Sequence, residues 1–333
     1  MVALSPLPKI WLNGELVPWE EARVHVLSHG LHYAYSVFEG IRSHRTPHGP
    51  AIFRLDDHLE RLGNSAKIYR MKLPYSTAEL RHAAIELVHA NGIADAYLRP
   101  IAFSGYGEMG LDPSDSEIDV AIGEWYWPPL LGPTTEGGGT RATVSSWTRI
   151  DSRSLPPQAK CAANYANGAL AKMEAIAGGY DEAILLNSAG RVAEGTGENI
   201  FRVKNDVVST PPASSGILRG ITRDTVIQLL HEEGIAFQRT DFTREELYSA
   251  DELFFSGTAA GIAPIREVDG RPIGDGGHPI TDRIHRLYEE CAQGLRPGHG
   301  LWLTYIEPQQ LEQAVAGEMQ ARDQAQAWAA YAK

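Results

Sequence analysis

Residues 128–140 read PPLLGPTTEGGGT, thirteen residues with three prolines and four glycines between two long stretches of patterned apolar sequence. Proline removes a backbone donor and glycine costs backbone entropy, so neither a helix nor a central strand runs through such a stretch. A chain of 333 residues is also too long for one ordinary core and suits two units of roughly 150 residues each. The break therefore predicts a first unit over 1–127, an interdomain loop over 128–140, and a second unit over 141–306. Loops of this length are often functional, so the same segment is a candidate cover for a site. The tail, 307–333, is rich in Ala and Gln, with Leu311, Val315 and Met319 at helical spacing, and reads as a helical extension.

Charge narrows the function. Thirty Lys+Arg against 42 Asp+Glu leave a net charge of −12, which argues against nucleic acid or an anionic membrane as partner. A local basic pocket for a small anion stays compatible with it. The only cysteines, Cys161 and Cys291, cannot build a disulfide framework or a cysteine zinc site. The N-terminus lacks a signal-peptide pattern, and no apolar run approaches about 20 residues. The expectation is a cytoplasmic enzyme.

Within the first unit, IWLNGELVPWEEARVHV reads as a hairpin around Asn13-Gly14. A helix is expected over Asp56–Arg70, burying Leu59, Leu62 and Ile68. Another starts at Ser76, where Glu79 completes a capping box, and closes at Gly92. AYLRPIAFSG and IDVAIGEWYW read as buried strands. In the second unit RATVSSW reads as a strand, Ala163–Ala177 as a helix, and DEAILLNSAGRVAEGTGENIFRV as two strands around a turn. GITRDTVIQLLHEEG reads as a helix ending at Gly234, TREELYSAD as a short one, and ELFFSGTAAGIAPI as a strand running into a turn.

Four short stretches carry candidate chemistry. The chain has few lysines, and Lys160 alone sits between a Pro-Pro turn and a run of small residues, in AKCAANY. A half-buried lysine there can lose its proton and attack a carbonyl; the plain alternative is a packed structural lysine. In GITRD the amides of Ile221 and Thr222 open a helix after Gly220, which makes an anion site or an ordinary cap. SGTAAG, 256–261, is a second small-residue turn able to present amides, and Arg61 can supply a matching charge. In EGTGENIF, Glu194 precedes Gly195 and Gly197, which lets something flat approach the backbone beside a carboxylate; a bulge with a surface acid is the alternative. The histidines of HVLSHGLH, His25, His29 and His32, have no carboxylate at ligand spacing and no expected helix, so no metal site is expected.

A reactive lysine, a phosphate cradle, a carboxylate for a ring nitrogen and a phenol for a ring hydroxyl are what pyridoxal phosphate needs. The chain resembles the class IV, branched-chain-type, pyridoxal-phosphate aminotransferases. The resemblance runs from Glu194 through Asn199, Ile200 and Phe201, past Thr210, to Leu218, Gly220, Ile221 and Arg223. HYAYSVFEGIR, HLERL, AYLRP, AKCAANY and FSGTAA match further blocks in the same order, over about residues 9–305.

The resemblance implies an α+β fold of type IV, a small α/β unit followed by a larger β-barrel-like unit with helices. It implies that Lys160 holds the cofactor covalently and shuttles a proton. Tyr165 would donate to the ring hydroxyl, and Glu194 would keep the ring nitrogen protonated. Arg61, Ile221, Thr222 and Thr258 would bind the phosphate, and Gly197 and Leu218 would sandwich the ring. Tyr97 and the Thr258 and Ala259 amides would meet the substrate α-carboxylate. Tyr33, Phe38, Gly40, Arg42, Met109, Leu111 and Trp127 would line the side-chain pocket, with Arg99 for the second carboxylate of glutamate. Tyr33, Met109 and Leu111 lie on segments that complete the pocket across a dimer interface in relatives, so a homodimer or an assembly of dimers is expected. Relatives commonly carry a tyrosine where this chain has Leu130, which implies a more apolar pocket. The expected activity is transfer of an amino group between L-glutamate and branched-chain 2-oxo acids. The alternatives are a D-amino-acid or R-amine aminotransferase, an aminodeoxychorismate lyase, or a non-catalytic phosphate-binding protein; the last leaves Lys160 and Glu194 together unexplained.

Overall fold

The computed structural model describes residues 4–107, 109–128 and 138–306. Leu130, most of the expected interdomain loop and the tail from 307 lie outside the described residues. Two sheets organise the rest. The first contains β1 (Lys9–Leu12), β2 (Glu15–Pro18), β3 (Ser36–Phe38), β4 (Ile41–Thr46), β5 (Gly49–Phe53), β6 (Ala96–Ser104) and β7 (Ile118–Trp125). The second contains β8 (Thr140–Thr148), β9 (Glu182–Leu186), β10 (Val192–Gly195), β11 (Asn199–Lys204), β12 (Val207–Thr210), β13 (Phe237–Arg239), β14 (Glu252–Gly257), β15 (Gly261–Val268) and β16 (Arg271–Pro272). A last strand, β17 (Leu303–Tyr305), pairs antiparallel with β5 and so returns the chain to the first sheet. Nothing in its three residues signals a partner some 250 positions earlier.

The expected hairpin forms between β1 and β2, with Asn13 and Gly14 at positive φ of 48° and 100°. Seven helices are described: α1 (His29–Tyr33), α2 (Leu55–Ile68), α3 (Thr77–Asn91), α4 (Ala162–Ala177), α5 (Ile221–Glu232), α6 (Arg244–Tyr248) and α7 (Pro279–Ala292). The Ser76–Glu79 capping box is present at the start of α3, and such a cap is worth about 1 kcal/mol. A second box, Thr243 with Glu246, opens α6.

Helix α2 buries Leu55, Leu59, Leu62 and Ala66, at spacings of four, three and four residues. Ile68, expected on that face, is exposed; six residues past Leu62 at 100° per residue it lies on the opposite side. Helix α1 forms where none was expected, a single turn over His29–Tyr33. The three histidines there spend ring nitrogens on backbone: His25 accepts from the Leu27 amide, and His29 and His32 contact the Gly110 and Val26 carbonyls.

The α2 and α3 stripes pack on one face of the first sheet with Trp11, Ile41, Leu98, Val120 and Ile122. A second core joins α5 and α7 to Phe201, Phe254 and, from the first sheet, Phe53 and Leu303. The two sheets therefore share packed apolar surface, and a cleft lies where they meet.

Candidate functional site

Lys160 lies just before α4, between the two sheets. Its amide donates to Ser65 Oγ on α2 (3.0 Å) and its carbonyl accepts from the Phe38 amide on β3 (3.0 Å). Asn164 Nδ2 ties down the preceding turn by donating to the Pro156 and Ala159 carbonyls, both at 3.1 Å. With the backbone held on both sides, the half-buried Lys160 Nζ reaches Tyr165 Oη at 2.6 Å. The spacing of five residues allows this because Cys161 between them is extended and Tyr165 sits in the first turn of α4. The Phe38 ring lies 5.1 Å from Nζ.

Glu194 ends up buried on β10, with every oxygen engaged. Arg149 meets Oε1 at 2.7 Å; Asn199 Nδ2 and the Leu218 amide donate to Oε2 at 3.0 and 3.1 Å. Burial raises its pKa; Arg149, the Leu218 N–H and Lys160 pull the other way without cancelling the rise. A cationic N–H placed against this carboxylate would complete what burial leaves short. Asn199 also donates to the Leu218 carbonyl at 2.9 Å, which holds the loop before α5 against β11. That loop passes so close that a Cβ on Gly220 would lie 2.0 Å from Asn199 Oδ1.

The start of α5 has no side-chain cap, so its first-turn amides have no partner within the helix and remain available to an anion. Arg61 stands beside it. Its guanidinium holds Glu39 through two hydrogen bonds of 2.7 Å and donates to the Arg219 carbonyl at 2.9 Å, which leaves two of its five N–H groups. Burial raises the Glu39 carboxyl, but Arg61 and His58 outweigh it and hold the pKa well below the carboxylate range. Glu39 and His58 thus set the position of Arg61 (His58 Nδ1 lies 2.8 Å from Glu39).

The β14–β15 turn closes the other side. Arg42, half-buried on β4, donates to the Thr258 and Ala259 carbonyls at 2.7 and 3.0 Å, and to those of Trp127 and Pro128 at 2.7 and 3.3 Å. In a trans peptide the N–H points opposite to the C=O, so Arg42 aims the Ala259 amide away from itself. Arg42 therefore ties the turn to the 127–128 segment, rather than presenting a free cation to the pocket. Tyr97 and Arg99 share the outward face of β6, while Leu98 between them faces the core. Tyr97 packs on Trp125 and Trp127, and its hydroxyl occupies the space over Gly40, where a Cβ would lie 1.8 Å from it. Gly40→Ala is expected to cost about 1–3 kcal/mol by overpacking, with most of the loss recovered when Tyr97→Leu is added. Thermal denaturation of the four proteins of that cycle checks it; additive losses would mean the contact is not the cause. Arg99 is boxed by Phe38, Tyr97 and Trp125, with its guanidinium carbon 4.8, 5.4 and 5.6 Å from the rings. Its buried Nε has no hydrogen-bond partner among the described residues.

One cleft is lined by Lys160, Arg61, Tyr165, Glu194, Gly197, Leu218, Ile221, Thr222 and Thr258 together. These are the catalytic and cofactor residues expected from the sequence. Phe38, Tyr97 and Arg99 stand beside it, and Trp127 and Ala259 belong to segments tied by Arg42. Tyr33, Met109 and Leu111 do not join this chain's cleft: all three are exposed, and Tyr33 Oη donates to the Met109 carbonyl at 3.2 Å on an outer rim.

The sequence reading missed Arg149, Glu39, His58, Ser65 and Glu198. Arg149 lies 45 residues from Glu194, and only the pairing of β8, β9 and β10 brings them together. Glu198 was legible within EGTGENIF as a second acid; it lines the cleft, and burial and the charge of Glu182 push its pKa up to about 8. The donor set fits pyridoxal phosphate: one amine beside a phenol, a buried carboxylate, Glu194, held by Arg149, and an uncapped helix start with arginine at the far side. The Asn199 side chain already fills the space over Gly220, so only glycine fits there without displacing it.

The family described as "Amino-transferase class IV" matches the chain over residues 36–268. The chain is 44% identical to the branched-chain-amino-acid aminotransferase of Pseudomonas aeruginosa over 299 residues, covering 90% of this chain and 97% of that protein. It is 45% identical to the Escherichia coli (strain K12) branched-chain-amino-acid aminotransferase, over 89% of this chain and 97% of that one. Among solved structures it is similar to the T.th. branched-chain amino acid aminotransferase complexed with N-(5'-phosphopyridoxyl)-L-glutamate. The TM-score there is 0.86 at 44% identity, covering 90% of this chain and 99% of that one.

Proposed function

We infer, from the premise that this chain belongs to the class IV aminotransferase family, that it is a pyridoxal-phosphate-dependent branched-chain-amino-acid aminotransferase. It transfers an amino group between L-glutamate and branched-chain 2-oxo acids. The observation that carries the residue assignments is the Lys160–Tyr165 pair at 2.6 Å in one cleft with buried Glu194.

When bound, pyridoxal phosphate supplies an electron sink for negative charge developing at the substrate Cα. The chain's own residues do the rest. Lys160 Nζ is the base that takes the Cα proton and returns it on the other side of the transfer. Tyr165 Oη holds that amine in place and donates to the ring hydroxyl. Glu194, held by Arg149 and Asn199, keeps a proton on the ring nitrogen. Arg61, the Ile221 and Thr222 groups and Thr258 would hold the phosphate, and Gly197 and Leu218 would hold the ring between them. Tyr97 with the Thr258 and Ala259 amides orients the α-carboxylate, and Arg42 sets the aim of that turn. Phe38, Gly40 and Trp127 shape the side-chain pocket.

Arg99 distinguishes the two donors. Its aromatic box accepts an aliphatic chain, while its unpaired Nε calls for an acceptor. Arg99→Ala is expected to lower kcat/KM for glutamate about tenfold to a hundredfold more than for leucine, the worth of one charge-assisted contact. Steady-state kinetics with both donors checks it, and equal losses would assign Arg99 a general structural role.

The same reading carries a two-unit division at 1–127 and 141–306 around the 128–140 loop, with 307–333 as an appendage. It also carries a homodimer. Leu27, Leu31, Tyr33, Tyr106, Met109 and Leu111 are all exposed on or near α1, and clustered exposed apolar side chains mark interaction surfaces. A second copy covering this rim would complete the pocket. No described helix is long and apolar enough to cross a membrane. The two free, buried cysteines suit the reducing cytoplasm. A panel of 2-oxo acids with L-glutamate as donor and chiral separation of the products tests the activity. Failure to aminate 4-methyl-2-oxopentanoate, 3-methyl-2-oxopentanoate and 3-methyl-2-oxobutanoate, or D-products, would overturn it.

A further inference from the structure

Past the loop that precedes α5, a second concavity lies between α2 and the start of α5. It shares Arg61, Gly220 and Ile221 with the cleft, so the two meet at the end assigned to the phosphate. Residues 54, 57, 61 and 64 line it from one face of α2. Five arginines stand there against three carboxylates, in a chain whose net charge is −12.

Two of the five are already matched. Arg54 pairs with Asp57 and Asp224 at 2.6 and 3.0 Å, and Arg61 with Glu39. That leaves Arg219, Arg223 and Arg239. Arg223 is buried, and its hydrogen-bond partners are neutral: Thr210 Oγ1 at 3.3 Å and the Pro211 carbonyl at 2.9 Å. Thr210 stands opposite Arg239 in the parallel β12–β13 register, so the same residue brings the two guanidinium-bearing chains side by side. Burial, then the charge of Arg239, lowers the Arg223 pKa to about 10, with Arg219 adding to it and Asp224 opposing. Three like charges crowd one wall, and Glu60 is the only lining acid not already bound to Arg54. An anion would relieve that repulsion.

We propose that Arg219, Arg223 and Arg239 form a capture site for a phosphate monoester dianion, taking the incoming cofactor by its phosphate before that group seats at Arg61 and the start of α5. The proposal rests on the assignment of the phosphate to that end. Its consequence is kinetic. A basic wall in an acidic protein raises the local concentration of a dianion and its association rate by roughly 10 to 10³, an effect that salt removes. It adds nothing to turnover once the cofactor is seated.

The test uses the full chain freed of cofactor and then mixed with pyridoxal phosphate, following the visible band by stopped flow. Arg219→Glu with Arg239→Glu is compared with the parent, and Arg219→Gln with Arg239→Gln is the milder pair. At low ionic strength the charge-reversed protein should load at least about tenfold more slowly, and the glutamine pair should fall between. The gap should close near 0.5 M salt, about where the Debye length drops below 5 Å. The dissociation rate and the turnover of the loaded enzyme should match the parent. Inorganic phosphate should slow loading of the parent more than chloride does at equal ionic strength, and should do so less in the variants. Equal loading rates at low salt, or a gap that persists in high salt, would overturn the proposal; phosphate acting no better than chloride would overturn the assignment to a phosphate dianion. A parent that never develops the band points instead to failure of the cofactor assignment.

Discussion

Lys160→Ala is expected to lose the visible absorbance of a covalently held pyridoxal phosphate and to lower turnover by about 10⁴-fold or more. One change removes both the attachment point and the base, and general base catalysis alone contributes roughly 10² to 10⁴. The fold should survive. Lys160 is held through its backbone, by Ser65 Oγ and the Phe38 amide, and alanine keeps both bonds. Its side chain leaves only the Tyr165 hydroxyl without its 2.6 Å partner, at the edge of a cleft open to water. Absorbance, single-turnover kinetics and thermal denaturation separate the outcomes. Borohydride reduction of the parent followed by peptide mapping gives the direct assignment, and a label on any other lysine would falsify it.

Glu194→Gln is expected to slow the proton-transfer step about tenfold to a hundredfold, because a neutral amide supports a protonated ring nitrogen less well than a carboxylate; ~1.5–3 kcal/mol lost only in the transition state gives that range. The structure adds a second effect that the sequence does not suggest. Oε2 accepts from Asn199 and Leu218, and Oε1 from Arg149, so both oxygens face donors. Whichever way the glutamine amide turns, its NH₂ meets another N–H. An unsatisfied buried donor costs about 1–3 kcal/mol, so the cofactor-free variant should also melt at lower temperature. Glu194→Asp keeps the charge but shortens the reach. It should leave Arg149 and the Leu218 loop less well held, so cofactor affinity falls more than the single-turnover rate of what is bound. A Glu194→Gln protein with parental single-turnover rate and parental melting temperature would remove Glu194 from this role.

The cofactor end of the site was legible early for a local reason. A helix start, a strand with two glycines and a lysine after a proline turn each display their chemistry within five or six residues. Lys160, Glu194, Ile221 and Thr222 were read from these stretches, and they line one cleft with the five further residues named for the cofactor. The substrate end was less legible. Arg42 and Arg99 look alike in sequence, each an arginine on a strand of the first sheet. Arg42 faces four backbone carbonyls and is consumed by them, whereas Arg99 lies opposite Gly123, which leaves room over the sheet for its aromatic box. Which of the two is free depends on what the facing segments bring, and those that hold Arg42 are more than 80 residues away. Ile68 shows the same limit on a smaller scale: it is apolar and helical, yet its angular position on α2, not its hydrophobicity, exposes it.

By itself the sequence determined the turns, the caps, the helical stripes and the order of the chemical motifs, because these depend on backbone preferences and side chains a few residues apart. The Asn13-Gly14 hairpin and the Ser76–Glu79 box are of this kind. Only the tertiary structure decided which charges are buried together. Arg149 reaches Glu194 through three neighbouring strands, Glu39 and His58 aim Arg61, and β17 closes the first sheet from the far end of the chain. Such partners have no signature in local sequence. Burial makes an unpaired charge costly, so the fold must bring it a partner, but any segment that the sheet topology delivers to that place can provide one.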